Sequence, residues 1–239
     1  MAKSRSESSS PPIAKPASAV SDTLVVEPVA PARSVVGSAG AAESTRRDVP
    51  PRPSGASAAT KTGGFVVWFT GLPGAGKTTI ANSLTPQLER RGFVVDHLDG
   101  DAIRTHLSND LGFSRRDRDT NIARIAWVSS RLVRAGAAVL VSAVSPYEES
   151  RQAARAFVEP FGRFVQVHVA TPVDECIRRD PKGLYAKALA GELPEFTGVS
   201  APYEVPRTPE LRIDTTHSSL DETADEVFAC LERLDLLPR

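Results

Sequence analysis

Gly71-Leu72-Pro73-Gly74-Ala75-Gly76-Lys77-Thr78-Thr79 is the stretch whose residue types and spacing most plainly do chemistry. It reads G-x-x-x-x-G-K-T, a phosphate-binding loop. The glycines let the backbone curl so that N–H groups point inward at a polyanion. Lys77 adds a mobile positive charge that reaches the β- and γ-phosphates and makes it a catalytic candidate. The Thr78 hydroxyl is a candidate ligand for Mg²⁺, and a helix starting here offers its positive N-terminal end. The ligand implied is a nucleoside triphosphate.

Asp99-Gly100-Asp101 is the next chemically suggestive group. One carboxylate near a triphosphate can support Mg²⁺, and one can accept the proton of an alcohol that attacks phosphorus. The same residues also suit a turn that caps the following helix, with Asp101 as N-cap, and the residues alone leave both readings open. Arg104, Arg115, Arg116, Arg118 and Arg124 follow closely. Clustered guanidinium groups suit an anionic substrate, while a solvated helix face is the plainer alternative. Phe113 among them stacks on a base or packs in the core. Residues 178–206 are long for a loop and mix Arg178, Arg179 and Lys182 with aromatics, the composition of a lid that excludes water from a transfer reaction.

These groups need elements to position them. The apolar run Phe65–Phe69 reads as the strand before the loop, and Ile80, Ala81, Leu84 and Leu88 place a helix after it to about Arg91. Pro86 within that helix removes a donor and is expected to kink it. Phe93-Val94-Val95 begins a second strand that runs into Asp99. A helix over about Asp117 to Ala135, a buried strand from Ala137 to Val144, a helix over Glu148–Glu159, a strand at Phe164–Val169, a short helix after Pro172, a strand at Leu211–Ile213 and a helix over Leu220–Leu234 complete the order. Alternating strands and helices give an α/β fold with a parallel sheet and right-handed crossovers. Ligands then bind beyond the carboxyl ends of the strands.

Residues 1–62 are rich in Ser, Pro and Ala with no aromatic residue, so they read as a disordered tail preceding a folded domain over 63–239. Leu24-Val25-Val26 is an isolated candidate docking strand within the tail. The chain carries 29 Lys and Arg against 29 Asp and Glu, which gives no global attraction to nucleic acid or to an anionic membrane. No apolar run is long enough to span a bilayer, and no apolar stretch follows Lys3 and Arg5 to make a secretory leader. Cys176 and Cys230 lack any C-x-x-C spacing and suit free thiols in a cytoplasmic compartment. His97, His106, His168 and His217 show no metal-ligand spacing.

Several blocks together resemble the adenylylsulfate kinase family. They are Leu98-Asp99-Gly100-Asp101, Asp110-Leu111-Gly112-Phe113-Ser114, Asp117-Arg118 with Asn121-Ile122, Val144-Ser145-Pro146-Tyr147, Arg179-Asp180-Pro181-Lys182-Gly183-Leu184-Tyr185, and Phe196-Thr197-Gly198 with Pro202-Tyr203-Glu204. They occur in the family's order across about 64–215. The resemblance implies a P-loop NTPase-type three-layer αβα domain. It also implies ATP-dependent phosphorylation of the 3′-hydroxyl of adenosine 5′-phosphosulfate, in sulfate assimilation, with Mg²⁺ as cofactor and a homodimer as a common assembly. By the same likeness ATP is held by residues 71–79 and Arg178. Arg104, Arg118 and Asn121 grip the acceptor, Phe113 and Phe196 enclose its adenine, and Lys182 and Val199 belong to the closing wall. Asp101 is the base on the hydroxyl, with Asp99 beside it near the metal. Ser145 matches a position described as a phosphoserine intermediate; in-line transfer needs only positioning and charge stabilisation, so hydrogen bonding to substrate is the alternative.

The chain departs from the family pattern at Pro73, Ala75, Ala123, Glu148 and Ser200, which bears on substrate affinity more than on reaction type. At 239 residues it leaves no length for a fused sulfurylase domain. Two rivals remain at this point: a kinase of the same fold for another small alcohol, and a nucleotide-binding regulator without catalysis.

Overall fold

The computed structural model describes residues 63–238. The proposed tail and the Leu24–Val26 segment lie outside the described residues. β1 (Phe65–Thr70) is buried along its whole length, as its unbroken apolar run requires of a strand covered on both faces. α1 (Lys77–Arg90) follows the phosphate loop, then β2 (Val95–Asp99), α2 (Gly100–His106), α3 (Arg115–Arg134) and β3 (Ala138–Ser142). α4 (Glu148–Val158), β4 (Arg163–Val169), α5 (Val173–Arg179), α6 (Leu184–Leu189), β5 (Leu211–Ile213) and α7 (Leu220–Arg233) complete the order.

The five strands lie in the order β2-β3-β1-β4-β5, and every pairing is parallel. Successive side chains of a strand face opposite sides, and this splits the core in two. Val67, Phe69 and Leu140 pack against Ile80 and Leu84 of α1 and Val227 and Leu231 of α7. Val66, Trp68, Val139 and Val141 pack against Ile122 and Ile125 of α3 and Ala154 and Val158 of α4. The architecture is therefore a three-layer αβα sandwich.

Several boundaries differ from the sequence expectation. β2 starts at Val95, not Phe93, because Phe93 turns inward to pack edge-on against Phe65 at 5.3 Å. β3 stops at Ser142, and Ala143–Ser145 leave the sheet as irregular backbone over the cleft. α3 begins at Arg115, where the Ser114 hydroxyl accepts from the Asp117 N–H. α1 runs unbroken through Pro86, which faces solvent, so water can satisfy the carbonyl the ring leaves unbonded. The short helices α2 and α6 have too few periodic apolar positions to show in the sequence.

Candidate active site

The phosphate loop is shaped by close approach and by bracing. A Cβ at Gly71 would lie 2.3 Å from the Val169 carbonyl oxygen, so only glycine passes β4 there. Gly76 precedes α1 with φ at +103°, and no side chain caps the helix. The first-turn N–H groups of α1 therefore remain for a ligand, at the positive end of the helix dipole. The Tyr185 hydroxyl donates to Pro73 O at 3.0 Å, and the hydroxyls of Thr171 and Thr215 each donate to Ala75 O at 3.1 Å. Three separate segments thus hold the loop from behind. Sequence reasoning singled out Tyr185 only within the Arg179–Tyr185 block and missed the bracing role of all three, because hydroxyl groups this far apart in the chain carry no local signal.

Lys77 Nζ donates to Gly71 O at 2.9 Å and Leu72 O at 2.8 Å, and its side chain is buried. Burial pushes its ammonium down to about 8, against partial support from nearby Cys176, Asp101 and Asp99. A phosphate oxygen would return the charge compensation that water cannot give there.

Asp99 closes the helix-capping question raised by the sequence. It, and not Asp101, is the N-cap of α2: Oδ1 accepts from the N–H groups of Asp101 at 3.0 Å and Ala102 at 3.4 Å. Its other oxygen accepts from the Thr78 hydroxyl at 2.7 Å. Burial works against its charge, but these hydrogen bonds outweigh it and hold the carboxyl below its usual range. A hydroxyl and an ionised carboxylate side by side at the loop form a hard-oxygen pair of the kind that takes a small divalent cation. Capping frees Asp101 to project into the cleft, where its carboxylate meets the Lys182 ammonium.

The opposite wall comes from α2, α3 and the loop between them. Arg104 Nη1 donates to Gly112 O at 2.8 Å, and Arg118 Nε donates to Phe113 O at 2.8 Å. Their guanidinium carbons stand 4.5 Å and 5.5 Å from the centroid of the Phe113 ring. Burial lowers the basicity of both, and for Arg104 the charge of Arg118 adds to it. Two half-buried cations this close favour an anion between or beside them. Arg118 also donates to Glu195 O at 2.6 Å and so ties α3 to the long 178–206 segment. Asn121 is buried on the cleft wall, and its Oδ1 has no hydrogen-bond partner among the described residues.

The cleft has a volume of about 740 Å³. It brings together Pro73, Gly74, Gly76, Lys77, Thr78, Thr79, Asp99, Asp101, Arg104, Phe113, Arg118, Asn121, Ser145, Lys182 and Phe196. Phe196 packs edge-on against Tyr185 at 5.1 Å, and Phe113 keeps 57% of its surface exposed. Five expected residues are not among the lining: Gly71, Leu72 and Ala75 of the phosphate loop, Arg178 and Val199. Arg178 lies on α5 and spends its guanidinium on Glu175 at 2.6 and 2.7 Å. Val199 lies beyond Phe196, partly exposed. Ser145 is buried, and its Oγ accepts from Trp68 Nε1 at 2.9 Å. No basic side chain hydrogen-bonds that hydroxyl among the described residues. Trp68 itself had a legible signal: an indole N–H in a buried strand needs an acceptor.

Comparison with known proteins supplies the family context. The family model described as Adenylylsulphate kinase matches residues 63–214. The adenylyl-sulfate kinase of Chloroflexus aurantiacus is 52% identical over 178 residues, covering 74% of this chain and 94% of that relative. The adenylyl-sulfate kinase of Halothermothrix orenii is 48% identical over 169 residues, covering 71% of this chain and 90% of its own length. Among solved structures, the Mycobacterium tuberculosis APS kinase CysC in complex with AMPPNP and APS superposes with a TM-score of 0.69 at 45% identity. That match covers 71% of this chain and 98% of the other.

Proposed function

The chain belongs to the adenylylsulfate kinase family, and from that premise we propose how its residues divide the work. The reaction is transfer of the terminal phosphoryl group of ATP to the 3′-hydroxyl of adenosine 5′-phosphosulfate, giving 3′-phosphoadenosine 5′-phosphosulfate and ADP. In our reading the backbone of residues 71–79 and Lys77 hold the ATP phosphates. Arg104, Arg118 and Asn121 hold the acceptor's anionic group, and Phe113 and Phe196 its adenine. Asp101 accepts the 3′-hydroxyl proton as the new O–P bond forms and the bond to the β-phosphate oxygen breaks. Lys182 neutralises charge at the junction, and residues 178–206 act as the lid over one kinase domain spanning 63–239. Arg178 and Val199 enter the site only with movement of that lid, and Ser145 serves to hydrogen-bond and shape, not as a phosphoryl carrier.

Thr78 and Asp99 would hold Mg²⁺, which supplies charge neutralisation at the phosphates when bound. Their donor set fits, because Mg²⁺ takes few protein oxygens and leaves other positions to phosphate and water. Two free buried thiols support a reducing, cytoplasmic compartment, and no helix among the described residues is long and apolar enough to cross a membrane. A homodimer is the assembly we put forward; the APS kinase of Thiobacillus denitrificans, 38% identical, was solved as a hexamer.

One observation carries the reading: a phosphate loop and an arginine-lined wall face one cleft at the carboxyl ends of β1, β2 and β3, with Asp101 between them. The test is a panel of small alcohols and nucleotides offered with ATP. Turnover of adenosine 5′-phosphosulfate above the others is expected. Turnover of another acceptor in its place would overturn it.

A further inference from the structure

Arg151, on α4, has no exposed surface. A guanidinium out of water is costly unless its N–H groups find acceptors, so such a residue is kept for what it holds. Nη1 donates to Ser145 O at 2.6 Å. Nη2 donates to the Glu148 carboxylate and to Glu204 O, both at 2.6 Å. Its guanidinium carbon lies 5.7 Å from the centroid of the Tyr203 ring.

These bonds fasten two stretches that are far apart in the chain. One is 144–148, the irregular backbone after β3 and the first residue of α4, which supplies Val144, Ser145 and Pro146 to the cleft wall. The other is Tyr203-Glu204, at the far end of the lid. Further bonds run between the same two stretches: Glu204 N–H donates to Pro146 O at 2.8 Å, and Glu148 N–H to the Glu204 carboxylate at 2.7 Å. The Tyr203 hydroxyl lies 3.0 Å from that of Thr70, which donates to Val144 O at 2.7 Å. Ser145 carries φ at +46°, a left-handed backbone that a non-glycine residue keeps only when its surroundings hold it there. The carbonyl that Arg151 grips belongs to that residue.

We propose that Arg151 is a positioning residue for the acceptor side of the cleft. It holds the Ser145 turn and ties the end of the lid to it, so the wall facing the phosphosulfate nucleotide keeps one shape. It touches no substrate and acts through Ser145 and the 196–206 segment. The phosphate loop has further braces in Tyr185, Thr171 and Thr215, none of which bonds Arg151, so the ATP side is expected to shift less than the acceptor side when Arg151 is changed. This rests on the reading that the acceptor is adenosine 5′-phosphosulfate.

The full chain carrying Arg151→Met or Arg151→Lys tests it, with thermal unfolding to establish that each variant folds. Arg151→Met is expected to raise KM for adenosine 5′-phosphosulfate about tenfold or more while KM for ATP stays within about twofold. Arg151→Lys, which keeps the charge but not the planar fork, is expected to recover part of the loss. Should Arg151→Met fail to fold, Arg151→Lys decides: it keeps the charge but cannot hold Ser145 O, the Glu148 carboxylate and Glu204 O from one planar fork. A rise of about threefold or more in acceptor KM at unchanged ATP KM is expected of it. Folded variants whose two KM values stay unchanged, or rise together, would overturn the proposal. The wild-type chain run alongside separates the claims. An inactive wild type removes the acceptor assignment on which Arg151's role depends, whereas an active wild type with unaltered variants removes only the role of Arg151.

Discussion

At the scale of single residues, the cleft sets ionisable groups to different tasks by differing surroundings. Lys77 is buried and its ammonium is pushed down to about 8. The free enzyme therefore loses that charge as pH rises through this value, and kcat/KM for ATP is expected to fall above about pH 8, read from an initial-rate pH profile. The sign for stability is the reverse. The unfolded chain keeps the proton to higher pH, so burial of the charged lysine costs stability at neutral pH and that cost fades as pH rises towards the unfolded value. Lys77→Met is thus expected to abolish turnover and to stabilise the fold by about 1–2 kcal/mol at pH 7, with a gain that shrinks in alkali. Asp101→Asn is expected to lower kcat by about a hundredfold or more, the usual scale for loss of a general base; near-normal turnover would remove it from that role. His168 gives a second pH signature. It is buried on β4 with Nδ1 unpartnered, and burial, with the charges of Arg212 and Arg151, pushes it down to about 4. The unfolded chain then binds a proton that the folded chain refuses, so stability falls as pH drops from about 6.5 towards 4. Replacing His168 with Gln should flatten that part of the curve in urea titrations.

At the scale of elements, the chemistry sits where strands end. Asp99 ends β2 and caps α2, and this one residue both accepts from the Thr78 hydroxyl and fixes the start of the helix that carries Asp101. The Asp-Gly-Asp pattern was visible in the sequence, but which carboxylate capped was not, because both readings satisfy the same spacing. The long apolar runs of β1 and β3 made the strands legible. The ends were less so: Phe93 looks like strand and is core, and Ala143-Val144 looks like strand and is cleft wall. The arginine-lined wall was legible as a cluster of arginines, yet the bonds of Arg104 and Arg118 to Gly112, Phe113 and Glu195 carbonyls depend on tertiary contacts that no local pattern encodes. At the other end of the chain, α7 opens on a reciprocal capping box between Ser219 and Glu222. Ser219→Ala is expected to cost about 1 kcal/mol in chemical denaturation and to leave kcat unchanged, since the box lies outside the cleft lining.

At the scale of the whole molecule, one parallel sheet carries both halves of the site on one edge. The strand order β2-β3-β1-β4-β5 puts β1 between β3 and β4, so the phosphate loop after β1 lies beside the wall that follows β3. The family match begins at residue 63, and every residue assigned here to the reaction lies beyond that point. Removal of residues 1–62 is therefore expected to leave kcat/KM for both substrates within about twofold of the full chain. A large loss in that truncation would place part of the working machinery before residue 63.

The most direct measurement follows a γ-labelled phosphoryl group from ATP onto adenosine 5′-phosphosulfate and onto its 3′-deoxy analogue, with ADP counted alongside. Label is expected on the natural acceptor, one for each ADP formed, and none on the analogue that lacks the hydroxyl. Label on the 3′-deoxy compound, or none on the natural one, would contradict the account.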